Sequence, residues 1–166
     1  FLAFRDIHAL TDENPNARTE GWEIPNGVAF NLYEGFPDLN MQFNTKDVSF
    51  ETAPCWYKGI TYSDEYRRGF ACKEDLYVPG HFETEMKPGD AIVFSASVEL
   101  ASPSGLKRKF DSFVAKAAKI TTAHEQLVHC ADLLKQDRGG HKMITAGFSW
   151  LYTGLLRETL EALPGL

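Results

Sequence analysis

A chain of 166 residues is long enough for one ordinary hydrophobic core. Its formal net charge is −6, with acidic and basic residues well mixed, which excludes the basic stripe of a nucleic-acid binder. The longest apolar runs fall far short of the ~20 residues that span a bilayer.

Three cysteines, Cys55, Cys72 and Cys130, form an odd set with no close pairing. That argues against a disulfide framework and for a reducing, cytoplasmic compartment. The sequence begins at Phe1 inside the apolar run FLAF and ends at Leu163-Pro164-Gly165-Leu166. Both ends read as cut, so a missing leader carries no information.

In chain order, Phe1 to Ile7 reads as a strand entering a loop. Arg5 and Asp6 read by base rate as a surface pair at its end, worth at most about 1 kcal/mol. Thr11 to Arg18 is polar, punctuated by Asn and Pro, and is a loop. Three short alternating runs follow. Val28, Phe30 and Leu32 alternate with Ala29, Asn31 and Tyr33. Leu39, Met41 and Phe43 alternate with Asn40, Gln42 and Asn44. Val48 and Phe50 alternate with Ser49 and Glu51. A period of two with one apolar face marks a half-buried antiparallel strand. Pro25-Asn26-Gly27, Gly35-Phe36-Pro37-Asp38 and Asn44-Thr45-Lys46-Asp47 supply turns, as in a meander within a sandwich or barrel.

Cys55 to Tyr62 continues the sheet with Trp56, Tyr57 and Ile60. A short helix is expected after it, capped by Ser63 or Asp64, favoured by Glu65, anchored by Tyr66 and stopped at Gly69. Lys73-Glu74-Asp75 reads as a loop ending in Pro79-Gly80. Phe82, Thr84 and Met86 form another alternating run, and Ala91 to Val98 the last clear strand. Ala101-Ser102-Pro103-Ser104-Gly105 looks like a linker.

The period then becomes helical. Phe110, Phe113, Val114 and Ala117 stand at i, i+3, i+4 and i+7, and Leu127, Cys130, Ala131 and Leu134 repeat that spacing. Thr122 and Glu125 form a capping box for the second helix, which Gly139-Gly140 ends. A further apolar helix is expected from about Leu151 to Leu163, interrupted by Gly154 and closed by Pro164-Gly165.

Two carboxylates flanking a bond would be the mark of a glycosidase, but no pair in the sequence is convincing. Glu74 and Asp75 are adjacent and point apart on an extended chain. Glu83 and Glu85 share a strand face, the usual arrangement of a solvated face. His124 and His129 are five apart, so they face different sides of a helix, and no metal or cofactor is expected. Trp56 and Tyr57 offer an aromatic pair that could serve as a sugar platform, although such pairs are more often core.

The order of motifs resembles a known family. Phe4-Arg5-Asp6-Ile7-His8-Ala9-Leu10, then Trp56-Tyr57, Tyr62-Ser63-Asp64-Glu65-Tyr66-Arg67-Arg68-Gly69, Glu74-Asp75-Leu76, Pro79-Gly80-His81-Phe82, and a strand ending Ser97-Val98-Glu99 are similar to the N-terminal domain of bacterial and archaeal glycogen debranching enzymes of the amylo-α-1,6-glucosidase type. A second block, Ala146-Gly147-Phe148-Ser149-Trp150-Leu151, Arg157-Glu158-Thr159 and Leu163 to Leu166, resembles the opening of that family's catalytic helical barrel. Tyr152 to Leu156 departs from its usual Asp-Trp-Gly.

The resemblance implies a mainly β fold. An N-terminally truncated antiparallel β-sandwich would cover 1–100, a helical linker 101–140, and the first segment of an (α/α) barrel 141–166. It implies hydrolysis of α-1,6-linked branch stubs in glycogen without a cofactor, with the catalytic carboxylates beyond Leu166 and this piece a scaffold. It also implies sugar contact by Trp150, Arg157 and Glu158, to which Trp56 and Tyr57 are added as the aromatic pair. Expected partners are α-glucan, the rest of the parent chain, and a second copy meeting open sheet edges, with no nucleic acid or membrane. The alternative is a non-catalytic carbohydrate-binding or assembly module, and a blander third is a sandwich that only braces a neighbour.

Overall fold

A computed structural model describes residues 1–6, 9–117, 119–138, 140–145 and 154–165. Among them the chain is mainly β, with antiparallel sheets and four α-helices. It divides into two compact units, Phe1–Phe113 and Val114–Leu166.

The first unit holds a four-stranded sheet and a long two-stranded one. Strands β1 (Trp22–Ile24), β2 (Gly27–Phe30), β3 (Leu39–Phe43) and β6 (Phe94–Ser97) lie side by side in that order, all antiparallel. The expected turn after Ile24 forms because Asn26 tolerates the left-handed region, at φ +54°. Gly27 follows where nothing larger fits. A Cβ there would come within 1.9 Å of the Met41 carbonyl oxygen.

The second sheet pairs β4 (Ser49–Thr61) with β5 (Lys73–Glu83). Lys73-Glu74-Asp75 is therefore strand, where the sequence suggested a loop. Pro79 fits because it sits opposite a register shift between Thr52 and Cys55. A proline there removes no ladder hydrogen bond. The extra residue on β4 also sets which rings point inward. Phe50 and Phe82 at one end, and Trp56 with Tyr77 at the other, all pack on one core of Leu2, Val28, Phe30, Leu32 and Met41. Phe30 meets Phe50 edge-on at 5.9 Å, and Phe43 meets Phe82 at 4.8 Å, so aromatic rings join the two sheets.

The polar side of β3 is not solvated, contrary to the simple alternating pattern. Asn40 and Gln42 are buried. The Gln42 amide donates to the carbonyls of Pro25 and Ala101, and its oxygen accepts from the Ala101 N–H. A buried amide is tolerable when its donors and acceptor are satisfied in this way. The same bonds pin the expected linker at Ala101, and helix α2 (Pro103–Ala117) begins two residues later with proline at its first position. Phe110, Phe113 and Val114 do lie on α2, but all three are exposed, and Leu106 is its buried residue.

Helix α1 (Ser63–Arg67) is the short helix expected after β4, stopped at Gly69 with φ +78°. Its N-cap is Tyr62, and no side chain caps it, so neither Ser63 nor Asp64 takes that role. Tyr66 is exposed and anchors nothing. The anchor is Tyr62, whose N–H donates to the Cys72 carbonyl at 2.8 Å.

In the second unit, α3 (Ala123–Leu134) starts at the expected Thr122–Glu125 capping box, with both reciprocal hydrogen bonds present. Such a cap contributes about 1 kcal/mol. The helix ends at Leu134, earlier than Gly139-Gly140. Gly140 instead takes φ +83° just before β8 (His141–Ile144), which pairs antiparallel with β7 (Lys135–Arg138). Helix α4 (Leu156–Ala162) runs into a 3-10 turn at Leu163–Gly165. Gly154 is not helical and lies close on β8, where a Cβ would meet the Met143 methyl at 2.7 Å. Residues 146–153, on which the barrel-opening motif falls, lie outside the described residues. No helix among the described residues is long and apolar enough to cross a membrane.

Candidate functional site

The N-terminal segment lies antiparallel along β5, with the Leu2 N–H donating to the Tyr77 carbonyl at 2.8 Å. The same register brings Arg5 opposite Glu74. The Arg5 Nε and Nη2 each donate to one Glu74 carboxylate oxygen at 2.7 Å, a bidentate fork. The Tyr62 hydroxyl donates to the same carboxylate. Glu74 is only 1 % exposed. Arg5 is thus no surface residue at a strand end. It closes a buried node with a carboxylate 69 positions away.

Burial alone pushes the Glu74 carboxyl up, but the hydrogen bonds from Arg5 and Tyr62 outweigh it and hold the group below the usual carboxylate range. The bond to Glu74, with burial, raises the Tyr62 phenol. A carboxylate this enclosed and this well satisfied is poorly placed for proton transfer to a ligand.

Asp75, the next residue, points the other way. It accepts from the Gly59 N–H at 2.8 Å and the Glu13 N–H at 3.0 Å, and these bonds lower its carboxyl. Glu74 and Asp75 therefore tie separate segments to β5. Among the described residues no group of three or more His, Cys, Asp or Glu side chains gathers as a metal would require.

The two aromatic candidates on β4 part company. Trp56 is half-buried against Tyr77, with ring centroids 5.5 Å apart, on the core side. Tyr57 is 51 % exposed on the other face, edge-on to Phe1 at 4.8 Å. Adjacent strand residues face opposite ways, so the two do not share one platform. Arg157 and Glu158 lie together on α4, 3.4 Å apart, and Arg157 also approaches Glu161 at 3.8 Å. Trp150 lies outside the described residues.

The structure adds a cleft that the sequence reading did not single out. About 420 Å³ in volume, it opens between the β1–β2 hairpin and the β4–β5 pair. Phe30, Phe50 and Phe82 line it on the core side. Glu23 and Thr52 are exposed lining residues on the strand faces of Phe30 and Phe50, while Trp22 and Ser49 border the cleft from the opposite faces. Gly21 lets the chain enter β1 close over the Phe30 ring, since a Cβ there would come within 2.5 Å of that ring. The available signal was Gly21 just ahead of the Pro25-Asn26-Gly27 hairpin turn, a small residue where the chain passes over a ring.

The family model described as glycogen debranching enzyme N terminal matches residues 1–93, more than half of the 166 residues. No curated protein and no solved structure matches the chain.

Proposed function

We propose a function from one premise: the chain belongs to the glycogen debranching enzyme N-terminal family. The parent protein is then a glycoside hydrolase of the bacterial and archaeal amylo-α-1,6-glucosidase type, acting in the cytoplasm on α-1,6 branch stubs of glycogen or a related α-glucan. The match over residues 1–93 carries this reading. Within it, we assign residues 1–100 to a β-sandwich domain, 101–140 to a connection that is helical up to Leu134 and ends in β7, and 141–166, which begins with β8, to the opening of the catalytic (α/α) barrel.

This chain serves as scaffold and substrate-contact region. The enclosure of Glu74 and the tethering role of Asp75 support a catalytic carboxylate pair elsewhere in the parent. Trp150, Arg157 and Glu158 are the proposed sugar contacts of the barrel opening. The exposed Tyr57 is better placed for a sugar than the half-buried Trp56.

The direct test is glucose release from an α-1,6-branched maltooligosaccharide by the enzyme that carries this chain. Release is expected from that enzyme and not from residues 1–166 alone. A carrier protein that leaves the branch stub intact removes the hydrolase reading. A non-catalytic carbohydrate-binding or assembly module would then stand in its place, a reading favoured by the aromatic-lined cleft.

The four-stranded sheet ends in β1 and β6, whose outer edges no further strand of that sheet pairs among the described residues. Unpaired edges recruit other strands, and self-association of the chain at high concentration is the expected result. A monodisperse monomer in light scattering would exclude it.

A further inference from the structure

The geometry points to a glucan-binding subsite in the cleft between the β1–β2 hairpin and the β4–β5 pair, taking one or two glucosyl units of an α-linked chain. The proposal rests on the reading of the parent as an α-glucan enzyme and assigns a place for the glucan outside the barrel-opening segment.

Three observations carry it. The volume, about 420 Å³, lies within the roughly 300–1,000 Å³ typical of ligand pockets and suits a short saccharide. The inner wall is aromatic, from Phe30, Phe50 and Phe82. A pyranose ring is amphipathic, and its C–H faces pack on aromatic surface while its hydroxyls turn outward. The outer lining supplies partners for those hydroxyls. Glu23 is a charged acceptor, and the Thr52 hydroxyl, two positions from Phe50 on the same strand face, both donates and accepts.

The strand register supports the same placement. Glu23 pairs with Val28, so its side chain shares the sheet face that carries Val28 and Phe30 toward the aromatic wall. A carboxylate there disfavours an anionic ligand, as does the net charge of −6. A neutral polyhydroxylated ligand uses the carboxylate as an acceptor without that repulsion.

The test is titration of the chain with maltotriose and panose, read by amide chemical shifts, with cellotriose as the β-linked control. Saturable shifts are expected at residues 21–24 and 48–52 with the α-linked sugars. Glu23→Ala, which removes the charged acceptor, and Thr52→Trp, which fills the cleft from an exposed position on the face of Phe50, should each weaken binding by about tenfold or more. Their thermal midpoints, compared with wild type, establish that both variants fold. Phe113→Ala, at an exposed position on α2 outside any proposed sugar contact, should bind as wild type does. No saturable shift in the wild-type chain, or wild-type affinity in both Glu23→Ala and Thr52→Trp, overturns the subsite. Equal response to cellotriose overturns the α-glucan assignment. If the parent enzyme still releases glucose while the cleft fails, only the subsite falls. If the parent leaves branch stubs intact, the hydrolase reading falls independently of the shifts.

Discussion

Glu74→Ala is expected to lower the unfolding free energy of the first unit by roughly 3–5 kcal/mol, the range for removing one partner of a buried ion pair. The loss comes less from the attraction itself than from what remains. Arg5, with a side chain only 13 % exposed, keeps its charge but loses the carboxylate that receives two of its donors, and Tyr62 loses its acceptor. Replacing both charges with apolar residues, in Arg5→Met with Glu74→Leu, should recover much of the loss, because no uncompensated charge is left buried. Urea denaturation followed by near-ultraviolet circular dichroism measures both. An unchanged midpoint in Glu74→Ala would sink the node as a stabilising element.

The node also sets a pH dependence. The Glu74 carboxyl is held below its unfolded value of about 4.3, so the folded state binds its proton less readily than the unfolded state. Its contribution is therefore present above about pH 4.3 and is lost as pH falls through the lower folded value. Stability of the wild-type chain should decline in that acid range, and Glu74→Gln should lack that part of the decline. Equal acid sensitivity in the two proteins would assign the effect to other carboxylates.

Phe30→Ala is the second large effect, at about 3–5 kcal/mol. Phe30 is 3 % exposed, belongs to the cluster with Leu2, Val28, Leu32, Met41 and Tyr77, and meets Phe50 across the sheets. Removing its ring deletes buried area and leaves a void that neighbours on two sheets cannot both fill. Phe113→Ala is the matched control. That ring is 67 % exposed on α2, so its loss should stay within about 0.5 kcal/mol. Equal thermal midpoints for the two variants would contradict the placement of the core between the sheets.

Much of the first unit was legible because periodicity reports burial directly. Val28-Phe30 and Leu39-Met41-Phe43 fall on β2 and β3, and the Pro25-Asn26 turn connects β1 to β2. The Thr122–Glu125 capping box was equally legible, since both partners lie within one turn of helix. Lys73 to Pro79 misled because charge and proline are ordinary loop signals. Here the charge of Glu74 is met by Arg5, and the proline sits opposite a register shift. The antiparallel pairing of β7 with β8 was missed because helical periodicity upstream made Gly139-Gly140 look like a stop signal.

The candidate site was less legible than the strands. Trp56 and Tyr57 stand side by side in sequence, yet the strand sends one to the core and one to the surface. Glu23 and Thr52 have no common motif. They meet only because β1 folds back on β2 while β4 crosses the inner face.

The amino-acid sequence by itself determined the mainly β character, most of the turns, the helical switch after Ser102, and the family to which the chain belongs, because each follows from local spacing or motif order. The tertiary structure alone decided the partner of Glu74, the burial of Gln42, the face taken by each aromatic residue, and the existence of the cleft. These depend on contacts between residues tens of positions apart, and on a one-residue register shift that turns side chains from one face to the other. Local periodicity carries no record of either.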